Sequence, residues 1–371
     1  MDIYVTRSSM PTLEEYVEEI KPIFESHMLT NMGPVYKRFQ HQLIDYLHVP
    51  YLSLFTNGHL ALEMALQALG MQDGGEIITT PFTFISTTHA IVRQGFTPVF
   101  ADIKETDYTI DPDRIEELIT DKTVAILPVH VYGHICDVER IDEIAKRHNL
   151  KVLYDAAHAF GEVYKGTTIG NFGDMTMFSF HATKVFNTVE GGAVAFHDEK
   201  YRRALHELKN FGFNREDSVT GIGGNAKLDE FRSAMGICNL RHHEECVEAR
   251  KRVNELYDER LKDIPGIKVG IVSDDLEPNY AYYPIEVDPD VFGSTRDVIY
   301  SSLAKEGIHA RRYFYPITTE MEVYGQRFSS ENVPIAKRVG NRILTIPIYP
   351  DLDSAIVDKA CEIIEGLSIE S

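Results

Sequence analysis

The sequence has few cysteines, no long apolar run and no segment that resembles an export signal. Four cysteines occur in 371 residues. They form no CxxC pair, which suits reduced thiols packed in a core better than a zinc site or a disulfide framework. They are Cys136, Cys238, Cys246 and Cys361. No segment approaches the roughly 18 apolar residues of a membrane helix, and the opening MDIYVTRSSM lacks a signal-peptide apolar run. We therefore expect a cytoplasmic protein with no membrane partner and no bound metal.

Positive charge is also scarce. The chain has 37 Lys and Arg against 57 Asp and Glu, a formal net charge of −20, which argues against a nucleic-acid partner because nucleic acids are polyanions. The 43% hydrophobic content is that of a globular protein. A chain of 371 residues exceeds what one small core holds, so we expect a large and a smaller domain.

Short apolar runs alternate with helical patterns along most of the chain. This alternation is typical of a mainly parallel sheet flanked by helices, and it predicts an α/β fold. The candidate strands are Glu76–Thr80, Thr97–Asp102, Thr123–Pro128, Lys151–Tyr154, Met175–Phe180 and Ala193–Phe196. Candidate helices are Leu60–Leu69 and Arg140–His148, the second with Asp137 as its predicted N-cap.

A long helical pattern separates two parts of the chain. Helical spacing runs from Leu228 through Leu261, and Pro265–Gly266 then breaks it. We predict a large α/β domain over residues 1–240 and a smaller α+β domain over residues 241–371, joined by that helix. Because no Pro/Ser-rich linker intervenes, we expect the two domains to pack together.

Asp155 ends an apolar strand and is followed by Ala156, Ala157 and His158. A carboxylate at the carboxyl end of a strand lies where α/β sheets bind ligands. If a pyridine ring lies there, an ionised Asp155 keeps the ring nitrogen protonated, and the ring can then accept electrons from a substrate carbon. A helix cap on the next element is the alternative role.

Lys184 follows another apolar strand, in the segment Ser179–Lys184, and precedes the pair Gly191–Gly192. A lysine that leaves a buried strand can have a lowered pKa, which lets it form an imine and later move a proton. Ser179 offers a hydroxyl to a phosphate, and the glycine pair lets the backbone pass close to a ligand. A solvated loop lysine and ordinary turn chemistry are the alternatives.

Thr56-Asn57-Gly58-His59 comes directly before an apolar helix. Free N–H groups and the positive end of a helix dipole meet there at a glycine-containing turn, a geometry that binds phosphate. Simple capping by Thr56 or Asn57 is the alternative. Phe84, after another strand, can stack on a flat cofactor or lie in the core.

Together these motifs resemble the DegT/StrS-type nucleotide-sugar aminotransferases, which have the aspartate-aminotransferase fold (fold type I) and use pyridoxal 5'-phosphate. The resemblance spans nearly the whole chain. The matching segments are TNGHLALEMAL at Thr56–Leu66, PFTFISTTHAI at Pro81–Ile91, DAAHAFG at Asp155–Gly161 and SFHATKVFNTVEGGAV at Ser179–Val194. The resemblance implies a mainly parallel mixed sheet flanked by helices, with a smaller C-terminal α+β domain.

The resemblance also implies roles around the cofactor ring. Lys184 is expected to carry pyridoxal phosphate as a Schiff base, and Asp155 to pair with the ring nitrogen. His158 is expected near the ring hydroxyl, and the segment containing Phe84 is expected to stack on the ring.

The phosphate is expected to contact Ser179, Gly58 and His59. In the same family, the residue matching Asn225, in GGNAKLDEFRSAMG, reaches the phosphate from the neighbouring subunit. The resemblance therefore implies a homodimer with shared active sites. His59 stands where the family often has Thr, so its backbone contact is expected more firmly than its side-chain contact.

Substrate contacts are less defined. Lys227 occupies a position where many members of the family carry Arg, and a point ammonium cannot copy a bidentate guanidinium grip. The segment Ala310–Tyr324 resembles the family's substrate side. Its candidates for binding sugar or diphosphate are Arg311, Arg312, Tyr313 and Tyr315. A surface strand with solvated arginines is the alternative.

The reaction implied by the resemblance transfers an amino group from glutamate to a keto sugar on a nucleotide. The pattern resembles in particular members that aminate dTDP-4-keto-6-deoxy-glucose for bacterial surface polysaccharide such as O antigen, and a 3-keto sugar is the alternative. A dehydratase on this scaffold has histidine in place of Lys184. An amino-acid transaminase is expected to have a dedicated carboxylate-binding arginine, which we cannot identify. Retention of Lys184 with Asp155 argues against a non-catalytic regulator.

Overall fold

A computed structural model of the protein describes residues 2–270 and 272–369. Its strands are β1 (Ile3–Tyr4), β2 (Tyr51–Phe55), β3 (Glu76–Thr79), β4 (Thr97–Phe100), β5 (Thr123–Leu127), β6 (Lys151–Asp155), β7 (Val163–Tyr164), β8 (Thr167–Thr168), β9 (Met175–Ser179), β10 (Gly192–Phe196), β11 (Phe213–Arg215), β12 (Ser218–Val219), β13 (Ile267–Val269), β14 (Leu276–Glu277), β15 (Tyr283–Val287), β16 (Ile308–His309) and β17 (Ile343–Ile346).

The helices lie between these strands. They are α1 (Leu13–Ser26), α2 (Pro34–Leu47), α3 (Gly58–Ala68), α4 (Ser86–Arg93), α5 (Pro112–Glu117), α6 (Val138–His148), α7 (Lys200–Leu208), α8 (Glu230–Arg241), α9 (His243–Leu261), α10 (Pro289–Phe292), α11 (Arg296–Lys305), α12 (Glu322–Gly325), α13 (Pro334–Arg342) and α14 (Ser354–Glu365).

The largest sheet of the described residues has seven strands in the order β2-β10-β9-β6-β5-β3-β4. The five strands from β9 to β4 are mutually parallel. Strand β10 is antiparallel to both of its neighbours, β9 and β2, so β2 points in the same direction as the parallel strands. The carboxyl ends of β2, β3, β5, β6 and β9 therefore meet at one edge of the sheet, where α/β folds bind ligands.

The predicted strands and helices are confirmed to within two residues at each end. The interior strands are apolar and buried along almost their full length, as in β10, because helices cover both faces of a parallel sheet. Asp137 caps α6 as predicted, through an oxygen that accepts from the N–H of Arg140. The expected helix Leu228–Leu261 is instead two helices, α8 and α9, separated at His242.

The C-terminal part contains its own three-stranded sheet, in the order β13-β15-β17. A separate apolar core lies beneath it, with Tyr257, Ile285 and Leu344 fully buried. The N-terminal strand β1 pairs with β16, Ile3 opposite Ile308, so the start of the chain also contributes to this part. The domain boundary at residues 240 and 241 stays a prediction.

Two further features bear on the composition. The four cysteines are free thiols, buried except for the partly buried Cys246. Among the described residues, no helix combines the length and the apolar character needed to cross a bilayer.

Candidate active site

Three backbone segments meet around Gly192: the end of β2 with the turn that follows it, the end of β9 and the start of β10. The turn is Thr56-Asn57-Gly58-His59, which is called the phosphate turn after its predicted ligand. Gly192 begins β10, where it pairs on one side with Phe55 of β2 and on the other with Ser179 of β9. A Cβ added at Gly192 would lie 2.8 Å from the carbonyl carbon of Asn57 and from the amide nitrogen of Gly58. Only glycine allows this approach, because real Cβ atoms are not found that close to a backbone.

Ser179 and Gly58 also lie side by side. A Cβ added at Gly58 would lie 2.9 Å from the Cβ of Ser179 and 3.1 Å from its hydroxyl. The Ser179 hydroxyl therefore sits beside the first residue of α3. Ser179, at the end of β9, therefore lies next to the turn that contains the other two predicted phosphate contacts, Gly58 and His59.

The start of α3 has free donors. Asn57 caps the helix, since its Oδ1 accepts from the N–H of Leu60 at 2.9 Å. The N–H groups of Gly58 and His59 precede the first intrahelical hydrogen bond and have no acceptor within the helix. The His59 ring is engaged elsewhere, with Nδ1 2.8 Å from Ser86 Oγ and Nε2 3.1 Å from Glu63 Oε1. A phosphate contact at this position would therefore use the backbone.

Asp155 ends β6 with only 5% of its surface exposed. Its Oδ2 accepts from the hydroxyl of Thr87 at 2.8 Å, and its Oδ1 accepts from the N–H of Ala157 at 3.1 Å. Burial raises the pKa of Asp155, while these two hydrogen bonds and the charge of Lys184 lower it. The Asp155 carboxylate accepts from the N–H two residues ahead, as in a tight turn. It therefore does not cap a helix, which was the alternative role expected from the sequence.

Lys184 lies in the loop that follows β9. Its Nζ is 3.5 Å from Tyr282 Oη and 5.9 Å from the centre of the Tyr282 ring. Burial lowers the pKa of Lys184 to about 8, and the Asp155 carboxylate partly opposes this effect. A lysine with this pKa is partly unprotonated near neutral pH, which makes its amine a nucleophile.

His158 is packed among aromatic rings. Its Nδ1 accepts from the N–H of Tyr132 at 3.0 Å. Its ring lies edge to face with Tyr282 at 4.7 Å and nearly parallel to Phe314 at 6.0 Å. Burial lowers the pKa of His158 well below its usual value, so the ring is neutral, with its proton on Nε2.

Phe84 lies between β3 and α4 with 58% of its surface exposed. The neighbouring Phe82 is fully buried and packs edge to face against Tyr132 and Phe314. Phe82 is therefore the core phenylalanine of this segment, and Phe84 does not lie in the core. Stacking of Phe84 on a cofactor stays a prediction.

Asn225 is exposed in a segment attached to the phosphate turn. It forms an isolated antiparallel bridge with Asn210, and the next residue, Ala226, accepts from the N–H of Thr56 at 2.9 Å. Asn225 does not contact Lys184 of its own chain among the described contacts. A role in a partner's site stays a prediction.

The predicted substrate cations Lys227 and Arg312 have different neighbours. Lys227 donates to Asn210 Oδ1 at 2.9 Å and lies 4.8 Å over the Phe211 ring. Arg312 forms an ion pair with Asp297 at 2.7 Å and stacks on Tyr300. Within the described residues, no ion pair or hydrogen bond joins Lys227 to Arg311 or Arg312.

Arg311 is the cation directed toward the site. Its guanidinium lies 5.9 Å from the Tyr313 ring, and Tyr313 in turn packs edge to face on Tyr282 at 5.9 Å. Burial raises the pKa of Tyr313, and Arg311 and Lys184 lower it. Tyr315 instead lies 44% exposed under the guanidinium of Arg296.

The sequence reasoning missed several residues at this site. Thr87 lies inside the matching segment Pro81–Ile91, and its place in the first turn of α4, the helix after β3, was the available signal. Tyr132 and Tyr282 carry no motif. They reach Lys184 and His158 only because distant parts of the chain pack together.

Comparison with known proteins identifies the family of this chain. The profile of the DegT/DnrJ/EryC1/StrS aminotransferase family matches residues 12–365. Two curated relatives are dTDP-4-amino-4,6-dideoxy-D-glucose transaminases. The one from Escherichia coli is 41% identical over 369 residues, 98% of either chain. The one from Shigella dysenteriae is 40% identical over 356 residues, 96% of either chain.

Solved structures have the same fold. DesI, crystallised in the presence of its TDP-sugar product, superposes with a TM-score of 0.93 at 31% identity over 98% of this chain and 92% of its own. A protein from Streptococcus pneumoniae, described as a sugar aminotransferase and solved in a PLP form, has a TM-score of 0.90 at 25% identity over 100% of this chain and 99% of its own. The predicted fold class, family and enzyme class are confirmed, and the chain belongs to the DegT/DnrJ/EryC1/StrS aminotransferase family.

Proposed function

We propose that the protein binds pyridoxal 5'-phosphate on Lys184 and transfers an amino group from glutamate to a nucleotide-linked keto-deoxy sugar. One observation carries the proposal. A partly buried lysine, whose pKa burial lowers to about 8, lies in the field of the buried carboxylate of Asp155. A nucleophilic amine and a carboxylate at one sheet edge suit a cofactor that needs both.

The residues present fit this cofactor. The close approach at Gly192 and Gly58 leaves a turn without side-chain bulk, and its free N–H groups and the Ser179 hydroxyl suit a phosphate. Asp155 would accept from a protonated pyridine nitrogen, and neutral His158 would donate from Nε2 to the ring oxygen. Exposed Phe84 offers a flat face to the ring.

When bound, pyridoxal phosphate holds the amino group between the two half reactions and withdraws electrons from the reacting carbon. In each half reaction, Lys184 Nζ would move a proton between the substrate carbon and the cofactor carbon: it would take the proton from the donor carbon in the first and deliver one to the sugar carbon in the second. A positioned group of this kind contributes about 10²–10⁴-fold. Asp155 would pair with the ring nitrogen as a carboxylate, with Thr87 and Ala157 donating to its two oxygens.

For the acceptor we propose dTDP-4-keto-6-deoxy-glucose. Both curated relatives are named for the 4-amino-4,6-dideoxy product of that sugar, and the structure solved with a TDP-sugar product has the same fold. The amino sugar would serve a bacterial surface polysaccharide such as O antigen. A dTDP-3-keto-6-deoxyhexose is the second candidate.

We also propose that the protein acts as a cytoplasmic homodimer with shared active sites. Large apolar side chains are exposed on the segment that carries Asn225, where Ile222 is 95% exposed and Val219 59%. Such groups are normally covered when they lie together. A second copy that covers this segment would bring Asn225 to its neighbour's phosphate turn.

The test is to incubate the protein and pyridoxal phosphate with ¹⁵N-glutamate and a panel of nucleotide-linked 4-keto and 3-keto sugars. We expect ¹⁵N at C4 of the dTDP-linked sugar, located by NMR of the product. The matched control is Lys184→Ala, which should give no product and no covalent cofactor after borohydride reduction. Label at C3 would favour the second acceptor, and label in no sugar would contradict the proposed reaction.

A further inference from the structure

A carboxyl group without a cation lies beneath the segment that carries His158. Glu162 is 1% exposed and directly follows Gly161. Its Oε1 accepts from the backbone N–H of Asn279 at 3.2 Å, and its Oε2 has no hydrogen-bond partner among the described residues. No salt bridge to Glu162 occurs in the described part of the chain. An ionised carboxylate in such a position is costly.

Asn279 connects this carboxyl group to the backbone of the site. Its Nδ2 donates to the carbonyl oxygens of His158 at 2.8 Å and of Phe160 at 3.0 Å. Asn279 itself lies between β14 and β15, in the C-terminal part of the chain, and is 2% exposed. One buried amide thus holds the His158 segment against the C-terminal part.

Two buried oxygens without hydrogen-bond partners indicate whether Glu162 is ionised or protonated. Asn279 Oδ1 and Glu162 Oε2 both lack a partner, and both are acceptors when Glu162 is ionised. A Cβ added at Gly133 would lie 2.5 Å from Glu162 Oε1 and 3.5 Å from Asn279 Oδ1, so the carboxyl and amide oxygens converge on one glycine. A proton on Glu162 would supply the donor that this group otherwise lacks.

The surroundings supply no compensating charge. Glu162 borders a cavity of about 30 Å³, whose other titratable lining groups among the described residues are Tyr132, His134, Tyr280, Tyr282 and Tyr283. Burial lowers the pKa of His134, so that ring is neutral as well. Burial raises the pKa of Glu162 well above its usual value.

We propose that Glu162 and Asn279 are positioning residues, and that Glu162 acts as an uncharged acid in a buried strut that sets the His158 segment beneath the cofactor ring. The proposal rests on the proposed function, because the segment contains both Asp155 and His158. The side chains of Glu162 and Asn279 both act through the backbone of the His158 segment. Neither side chain needs to touch the cofactor.

The first test measures the protonation of Glu162 without any cofactor. A folded-state pKa above the unfolded value means that the stability from the neutral acid is full below the unfolded pKa, and is lost as pH rises toward the folded pKa. Glu162→Gln keeps the shape and removes this loss. The Tm difference between the Glu162→Gln and wild-type apoproteins should therefore shift in favour of Glu162→Gln as the pH rises from about 5 to about 8.

The control for this melting series is Glu259→Gln, an exposed glutamate on α9. Its Tm difference from wild type should not grow over the same pH range. A Tm difference for Glu162→Gln that is independent of pH would overturn the uncharged acid. Because this measurement uses apoprotein, its outcome does not depend on whether pyridoxal phosphate is the cofactor.

The second test measures the positioning effect with pyridoxal phosphate itself. Asn279→Ala frees the His158 and Phe160 carbonyls, and it should raise the Kd for pyridoxal phosphate about tenfold or more. It should also shift the pH midpoint of the absorbance of the bound cofactor. Glu162→Ala should act in the same direction, and Glu162→Gln should restore both values to near wild type.

Wild-type Kd and absorbance midpoint in Asn279→Ala, in protein that remains folded by circular dichroism, would overturn the strut. A wild-type protein that does not take up pyridoxal phosphate would overturn the proposed function instead. The two failures are therefore distinguishable.

Discussion

At the scale of single residues, the hydroxyl of Thr87 is one of three groups that favour the ionised form of Asp155. Burial raises the pKa of this carboxyl group, and the hydrogen bond from Thr87 is the first of the groups that lower it. A hydrogen bond to a charged group contributes about 1.5–3 kcal/mol. A residue of α4, far from Asp155 in sequence, therefore contributes to the ionisation state of this carboxyl group.

We predict that Thr87→Val raises the pKa of Asp155 and moves the acidic limb of the kcat/KM profile upward by about one pH unit. The sign follows because the lost hydrogen bond stabilises the ionised form, so protonation then occurs at higher pH. The pH dependence of amino transfer provides the measurement. Thr88→Val is the matched control, since Thr88 is equally buried and its hydroxyl has no partner among the described residues. An identical shift in both variants would contradict the assignment.

At the scale of elements, the phosphate turn is formed where the end of β2, the end of β9 and the start of β10 meet. Gly192 lies so close to this turn that a Cβ added to it would be 2.8 Å from backbone atoms of Asn57 and Gly58. Backbone atoms cannot yield as a flexible side chain can. A methyl group here must displace the turn.

We predict that Gly192→Ala raises the Kd for pyridoxal phosphate about tenfold or more, because it moves the N–H groups at the start of α3. Titration of apoprotein by absorbance provides the measurement. The control Gly325→Ala, at the end of α12, meets only ordinary contacts at 3.5 Å or beyond and should bind like wild type. Wild-type affinity in Gly192→Ala would mean that the phosphate is held elsewhere.

At the scale of the whole molecule, the shared site can be tested by mixing two defective chains. Lys184→Ala and Asn225→Ala homodimers should both be impaired. In a heterodimer, one site combines the native Lys184 of one chain with the native Asn225 of the other. Random exchange of equal amounts should restore native sites to about one quarter of the wild-type number. No recovery after subunit exchange, verified by native mass spectrometry, would argue against a shared site.

The net charge of −20 opposes the binding of an anionic diphosphate, so cations near the site must act locally. The Debye length is about 8 Å at physiological salt, which screens remote carboxylates. Arg311 lies beside Tyr313, whereas Asp297 neutralises Arg312. The geometry therefore favours Arg311 among the predicted cations.

We predict that Arg311→Gln raises the KM for the nucleotide sugar about tenfold, and that Arg312→Gln raises it less. The KM for glutamate should stay nearly constant in both variants, as steady-state kinetics with each substrate varied will show. Lys227→Gln completes the series. A change confined to the glutamate KM in that variant would assign Lys227 to the donor carboxylate.

The sequence by itself determined most of the main sheet and the central pair of the site. Short apolar runs between helical patterns predict strands, Asp155 ends one of them and Lys184 lies in the loop after another, so the sheet edge on which they meet follows from strand direction. The motif around Gly58 likewise implied its turn. These features are local, because each depends on residues close together in the chain.

Only the tertiary structure decided which distant groups complete the site. Tyr282 contacts Lys184, Tyr132 contacts His158, and Asn279 donates to the His158 carbonyl from more than a hundred residues away. It also gave Lys227, Arg311 and Arg312 different neighbours, which the sequence could not show. Such contacts have no periodicity or motif, because they arise from the packing of two parts of the chain against each other.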